Sequence, residues 1–233
     1  MLIFTRSRVA LLVALLPALL QPLSSTAADA PAPSAPAPAA AAAATTLVKV
    51  TTSLGEFVIE VRNDRAPLTA ANFLRYVHEG FYSNTLFHRV IANFVIQGGG
   101  YDATTLALKP THESIFNESG NGLQNKRGAV GLARADAPHS GNAQFFVDLV
   151  DNPDLDPVST RWGYTVFGRV VQGMDVIERI GETATGSMGP WKSDAPLKPV
   201  IIEKTEVVSA ASANAPSVTP VTPPPQNTIL SPK

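Results

Sequence analysis

The chain has 233 residues, with 18 Lys plus Arg against 19 Asp plus Glu and no cysteine. That length suits one good-sized domain with tails, and the near-balance of charge leaves no field of one sign to steer nucleic acid or an anionic membrane surface. The lack of cysteine excludes disulfides, Cys-ligated zinc and thiol nucleophiles, and suits an oxidising compartment.

Arg6 and Arg8 precede an apolar run over residues 9–20, and the small residues SSTAADA follow. The pattern reads as a secretory signal peptide, residues 1–28, cleaved near Ala27 or Ala28. An uncleaved anchor is the other reading, but the run is short of the roughly twenty apolar residues of a permanent span. Residues 29–46 are almost wholly Ala, Pro and Ser, and residues 209–233 return to Ala, Ser, Thr and Pro. Both flanks are expected to be disordered, as an N-terminal linker and a C-terminal tail. The folding unit is therefore expected over residues 47–208.

Within it, TLVKVTTSLGEFVIEVRND carries two β-rich runs around Ser53-Leu54-Gly55, which predicts a hairpin. In APLTAANFLRYVHEG, Ala70, Phe73, Leu74 and Val77 share a helical face, Pro67 suits the first turn and Gly80 the C-terminal cap. A second, shorter helix is predicted at GMDVIERIG, with Met174, Ile177 and Ile180 on one face. Short apolar strands are predicted at TLFHRVI, FVIQG, GAVGLAR, AQFFVDLV, YTVFGRVV and PVIIEKTEVV. Many strands with two helices imply an antiparallel β-domain closed or capped by helices, and not a parallel α/β fold.

One strand carries an anomaly. Simple alternation in TLFHRVI places Leu86, His88 and Val90 on one face, expected to be the core, and Arg89 on the other between Phe87 and Ile91. Arg89 is then either a solvated residue of a barrel exterior or a functional one. Nothing else offers conventional chemistry. His78, His88, His112 and His139 lack metal-binding spacings, with His88 expected to be a hydrogen-bonded core residue. No nucleophile elbow is present. The glycines of QGGG and NKRGAVG lack nucleotide-binding spacings and read as turns and tight strand approaches. DLVDNPDLDP lacks EF-hand spacing and reads as a solvated loop with Asx turns. No metal or cofactor is implied. The residues by themselves point to an uncharged or peptide-like ligand on an apolar surface.

FHRVIANFVIQGGG, GAVGLARADAPHSGNAQFFV and GYTVFGRVVQGMDVIERI, in that order and spacing, resemble the signature blocks of the cyclophilin-type peptidyl-prolyl cis/trans isomerases, most closely the periplasmic bacterial branch. The resemblance implies a mainly β fold, a closed eight-stranded antiparallel β-barrel capped by two α-helices. It implies catalytic roles for Arg89, Gln97 and Phe94, and substrate-binding roles for Val95, Ala133, Arg134, Gln144, Phe146, Leu155 and Tyr164. Of the consecutive Phe145 and Phe146, it puts Phe146 in the site and Phe145 in the core. The expected partners are proline-containing segments of unfolded or folding exported proteins, bound by a monomer with no stable membrane insertion after cleavage and no nucleic acid. A proline-peptide-binding periplasmic chaperone with incidental turnover is the alternative, and a tail-mediated envelope scaffold a third. The chain departs from the family pattern at four places: Ala92-Asn93 replaces a common Pro-Gly, with Asn93 expected to tolerate positive φ. Val95 stands where Met is usual, Asp154 where Trp or Phe is common, and Tyr164 where His is common. Because that Trp helps bind cyclosporin in sensitive members, cyclosporin binding is expected to be weak.

Overall fold

The computed structural model describes residues 44–213, and the expected signal peptide and most of both flanks lie outside them. The chain opens with the expected hairpin, β1 (Thr45–Thr52) and β2 (Gly55–Arg62), followed by helix α1 (Pro67–His78). Strands β3 (Thr85–Ile91), β4 (Val95–Asp102), β5 (Ala129–Leu132), β6 (Phe145–Asp148) and β7 (Val166–Gln172) follow, then helix α2 (Met174–Gly181). The chain continues through β8 (Thr185–Met188), β9 (Trp191–Pro196) and β10 (Ile201–Val208), and ends in a helical turn, α3 (Ala210–Ala213).

Eight strands form a closed antiparallel barrel in the order β1-β10-β3-β4-β6-β5-β7-β2, and β8 and β9 make a separate two-stranded ribbon. Closure leaves the barrel no free edge. β1 lies between its hairpin partner β2 and the distant β10, so the first and last strands of the domain lock each other in register from Leu47↔Val208 to Thr52↔Ile202.

The core is built from inward apolar positions of every barrel strand and the apolar faces of α1 and α2. Phe73 of α1 packs against Tyr82, Phe145 and Phe167 with ring centroids 5.4, 5.7 and 5.0 Å apart. Each such ring taken fully out of water stabilises the fold by roughly 2 to 3 kcal/mol before ordering costs. α2 buries Val176, Ile177 and Ile180. Met174, expected on that face, is only partly buried beside it.

The alternation expected for β3 is broken. The β3–β4 register shifts between Thr85 and Phe87 and again between Phe87 and Arg89. Such bulges re-aim the following side chains. Phe87 and Val90 join the barrel core, with Phe87 edge-on to Phe145 at 6.1 Å. His88 instead lies outside that core, between Tyr101 and Trp191 at centroid distances of 4.6 and 5.7 Å. Its Nδ1 is buried without a partner, while a hydrogen bond to the Leu86 backbone favours the protonated ring. Burial, the largest influence, holds the imidazole down to about 4. The ribbon that covers it carries few apolar residues and gave no alternating pattern to read.

A candidate active site on the barrel wall

The site grows from the β3–β4 hairpin. Asn93 adopts φ 57° in the turn, as expected for the Ala92-Asn93 replacement, and the Phe94 amide closes it onto the Ile91 carbonyl at 3.1 Å. The turn brings Phe94 and Val95 alongside Arg89, whose guanidinium carbon lies 6.0 Å from the Phe94 ring centroid.

Arg89 pairs with Gln97 across the two strands. Arg89 Nη1 donates to Gln97 Oε1 at 3.4 Å, a long contact, and Gln97 Nε2 donates to Gln144 Oε1 at 3.1 Å. Arg89 has no other hydrogen-bond partner and no carboxylate partner among the described residues, so most of its five N–H donors are free to meet a ligand. Gln144 reaches Gln97 because Gly100 has no side chain: a Cβ there would come within 2.5 Å of Gln144 Cγ.

Behind Arg89 lies a cavity of about 350 Å³ lined by Arg89, Phe94, Val95, Gln97, Ala133, Arg134, Phe146, Leu155 and Tyr164. Nine of the ten residues implied by resemblance thus meet around one cavity, and Gln144 joins it through Gln97. Phe146 and Val95, on neighbouring strands β6 and β4, form its buried part. The Phe145/Phe146 pair divides as expected, Phe145 into the core and Phe146 into the cavity. Phe146 approaches Gly131 so closely that a Cβ there would lie 2.2 Å from Cζ of the ring.

On the opposite side, Leu155 projects from a 3₁₀ turn, Pro153–Leu155. The Tyr164 amide donates to the Leu155 carbonyl at 2.8 Å, and the Tyr164 ring stands edge-on to Phe146 at 5.8 Å. The Arg134 guanidinium stacks 4.5 Å from the Tyr164 ring centroid. Its Nη1 and Nη2 donate to the carbonyls of Ala135 and Trp162 at 2.9 and 3.1 Å. Arg134 therefore braces the rim through backbone carbonyls.

DLVDNPDLDP is only in part the solvated loop expected: Asp151, Pro153 and Asp154 are exposed, but other residues of it are not. Asp148 is 0% exposed and Asn152 is 8% exposed, and both are tied to the cavity wall. Asn152 Nδ2 donates to Asp148 Oδ1 at 2.7 Å and to the Phe94 carbonyl at 3.1 Å. Their position beside the site escaped the sequence reading, although an aspartate interrupting the apolar run FFVDLV was a signal. Among the described residues, no group of three or more His, Asp or Glu side chains could hold a metal ion, and no helix is long and apolar enough to cross a membrane.

A cavity with apolar walls at Phe94, Val95, Phe146 and Leu155, the available Arg89 guanidinium and the linked Gln97 and Gln144 amides suits a neutral, peptide-like ligand. The family model described as cyclophilin type peptidyl-prolyl cis-trans isomerase/CLD matches residues 47–207. The chain is 48% identical over 164 residues to peptidyl-prolyl cis-trans isomerase B of Escherichia coli, covering 69% of this chain and 99% of that protein. It is 43% identical over 168 residues to a peptidyl-prolyl cis-trans isomerase of Acinetobacter baylyi, covering 72% and 88%. Among solved structures, a Cryptosporidium parvum cyclophilin-type isomerase crystallised in the presence of the dipeptide Ala-Pro superposes with a TM-score of 0.60 at 26% identity, covering 70% of this chain and 99% of that one. With a family match spanning the whole barrel, this chain belongs to the cyclophilin-type peptidyl-prolyl cis-trans isomerase family.

Proposed function

We propose that this enzyme accelerates rotation about X-Pro bonds in exported proteins, with Arg89 acting on the prolyl nitrogen and the cavity of Phe94, Val95, Phe146 and Leu155 holding the proline ring. The observation that carries the reading is the under-used Arg89 guanidinium beside the apolar side chains of Phe94, Val95, Phe146 and Leu155 in that cavity.

The barrier of about 18 to 20 kcal/mol arises from delocalisation of the amide nitrogen lone pair. In the twisted transition state the nitrogen pyramidalises and its lone pair becomes a hydrogen-bond acceptor. A guanidinium aimed at it binds that state better than either planar ground state, which is the condition for raising the rate. No proton transfer or covalent intermediate is needed. Uncatalysed isomerisation takes tens to hundreds of seconds, so a turnover of about 10 to 1,000 per second requires roughly 10³ to 10⁵-fold acceleration, or about 4 to 7 kcal/mol. One charge-assisted hydrogen bond does not supply all of that. The apolar cavity adds to it, because the twisted amide is less charge-separated than the planar one and loses less on leaving water. Gln97 binds the substrate backbone and orients Arg89, while Ala133, Arg134, Gln144 and Tyr164 line the groove for flanking residues.

The N-terminal pattern of residues 1–28 supports a periplasmic location and exported proteins as substrates. The test is NMR exchange or protease-coupled measurement of cis-to-trans conversion in an X-Pro peptide. Acceleration that collapses in Arg89→Ala with peptide binding kept is expected. Binding without acceleration would favour a chaperone. Secretion of a reporter fused to residues 1–28 tests the location.

A further inference from the structure

Asp148 is fully buried, takes no part in the proposed chemistry, and sits where the two sides of the cavity join. On one side it pairs with Val95 across β6 and β4. On the other, its Oδ1 accepts from Asn152 Nδ2 at 2.7 Å. The second hydrogen of the same amide goes to the Phe94 carbonyl at 3.1 Å, which also accepts from the Leu149 amide at 2.9 Å. The Asn152 amide nitrogen donates to the Asn125 carbonyl at 2.7 Å, and the Asn152 carbonyl accepts from the Leu155 amide at 3.0 Å. A single asparagine thus joins the Phe94 wall to the turn that carries Leu155, and Asp148 fixes the plane of its amide.

We propose that Asp148 is a positioning residue: through Asn152 it sets the spacing between the Phe94 and Leu155 walls and so governs how tightly the cavity grips its substrate. The inference rests on the reading of this cavity as the proline site. Asp148 Oδ2 is buried without a hydrogen-bond partner. A neutral carboxyl tolerates that position far better than a carboxylate, which would need water or a donor there. The charged groups around it do not favour ionisation. Asp151 and Asp156 lie close enough to repel, Asp156 accepts from the Asn125 amide groups, and Lys126, the neighbouring cation, is paired with Asp151. Burial first, and those two aspartates after it, push Asp148 up to about 7. Ionisation draws Asp148 toward water, and reaching water means loosening residues 149–156. The grip on the substrate therefore weakens on the alkaline side of neutrality.

The test is kcat/KM for a blocked X-Pro peptide by NMR exchange across about pH 6 to 8, the window in which a group of this kind changes charge. The wild type is expected to fall with rising pH, mainly through KM. Asp148→Ala should lower kcat/KM about five- to tenfold, the loss expected for one well-made hydrogen bond. Asn152→Ala should do the same, and the double variant should add little, because both act through one contact. Asp148→Asn, which keeps the shape and cannot ionise, should flatten the profile, and it carries the test if the alanine variant fails to fold. A fall with pH that persists in Asp148→Asn, or folded alanine variants indistinguishable from wild type, overturns the assignment. No acceleration by the wild type at any pH overturns the isomerase reading instead.

Discussion

Gln97 stands between Arg89 and Gln144, accepting from the guanidinium at 3.4 Å and donating to the second amide at 3.1 Å, so the orientation of Arg89 depends on β4 and on the residue that leads into β6. The first contact, at 3.4 Å, is long enough to be worth little by itself and can shorten when a substrate amide arrives. Its contribution belongs to positioning.

Removing the guanidinium should therefore cost far more than removing its orienter. Arg89→Ala is expected to lower kcat about 100- to 1,000-fold, as for loss of one preorganised donor to a transition state. Gln97→Ala should cost about 10-fold. Peptide affinity measured by NMR titration should change little in Arg89→Ala. A large loss of affinity that matches the loss of rate would mean Arg89 binds the ground state just as well.

The cavity can be narrowed without touching its lining. A Cβ at Gly131 would lie 2.2 Å from Phe146 Cζ, so Gly131→Ala must push that ring. Overpacking of this kind costs about 1 to 3 kcal/mol, and here the ring has only the cavity or the core to move into. KM for an X-Pro peptide should rise several-fold, with a lowered melting temperature. An unchanged KM in the folded variant would show that the ring is displaced away from the substrate.

Two buried groups give opposite dependences of stability on pH. His88 is held down to about 4, below its unfolded value of about 6.5, so unfolding takes up a proton between these values and stability is lost as pH falls through that range. Asp148 is pushed up to about 7, above its unfolded value of about 3.9, so the native state holds the extra proton and stability is lost as pH rises toward 7. Between about pH 4 and 6.5 the two slopes cancel. Chemical denaturation across this range should find these two contributions level in the wild type. His88→Phe should leave a fall with rising pH, and Asp148→Asn a rise. Equal pH profiles for all three proteins would contradict both protonation states.

Cyclosporin should bind weakly. By the resemblance, Asp154 stands where the family commonly has Trp or Phe, and it is exposed beside Leu155. Asp154→Trp is expected to improve inhibition of isomerase activity by at least tenfold, the scale on which a buried aromatic contributes to an interface. Low-nanomolar inhibition of the wild type would refute the reasoning.

Much of this was legible in the chain. The Ser53-Leu54-Gly55 turn, the 3.6-residue periodicity after Pro67 and the β-rich runs are local signals, and the structure realises them as β1–β2, α1 and the barrel strands. The three signature blocks hold every cavity residue except Leu155, because each block is a contiguous stretch in which spacing survives folding; Leu155 lies between the second and third blocks. Asn93 was readable for the same reason: its φ of 57° is a local demand of one turn.

Other features were decided only in three dimensions. The two register shifts in β3 send Phe87 into the core and His88 beneath Trp191, because a bulge arises from pairing with β4 and leaves no mark in the alternation of TLFHRVI. The β8–β9 ribbon has little apolar content of its own and is held by what it covers. Closure of the barrel depends on β1 meeting β10 across the length of the domain. Asp148 read as part of a polar loop and proved to be buried, since solvation depends on the atoms that surround a carboxyl and not on its neighbours in the chain. Sequence by itself determined the family, the eight barrel strands and, through the resemblance, the residues of the cavity; tertiary packing decided the ribbon, which side chains face the core, which groups lose water, and therefore which protons the folded protein holds.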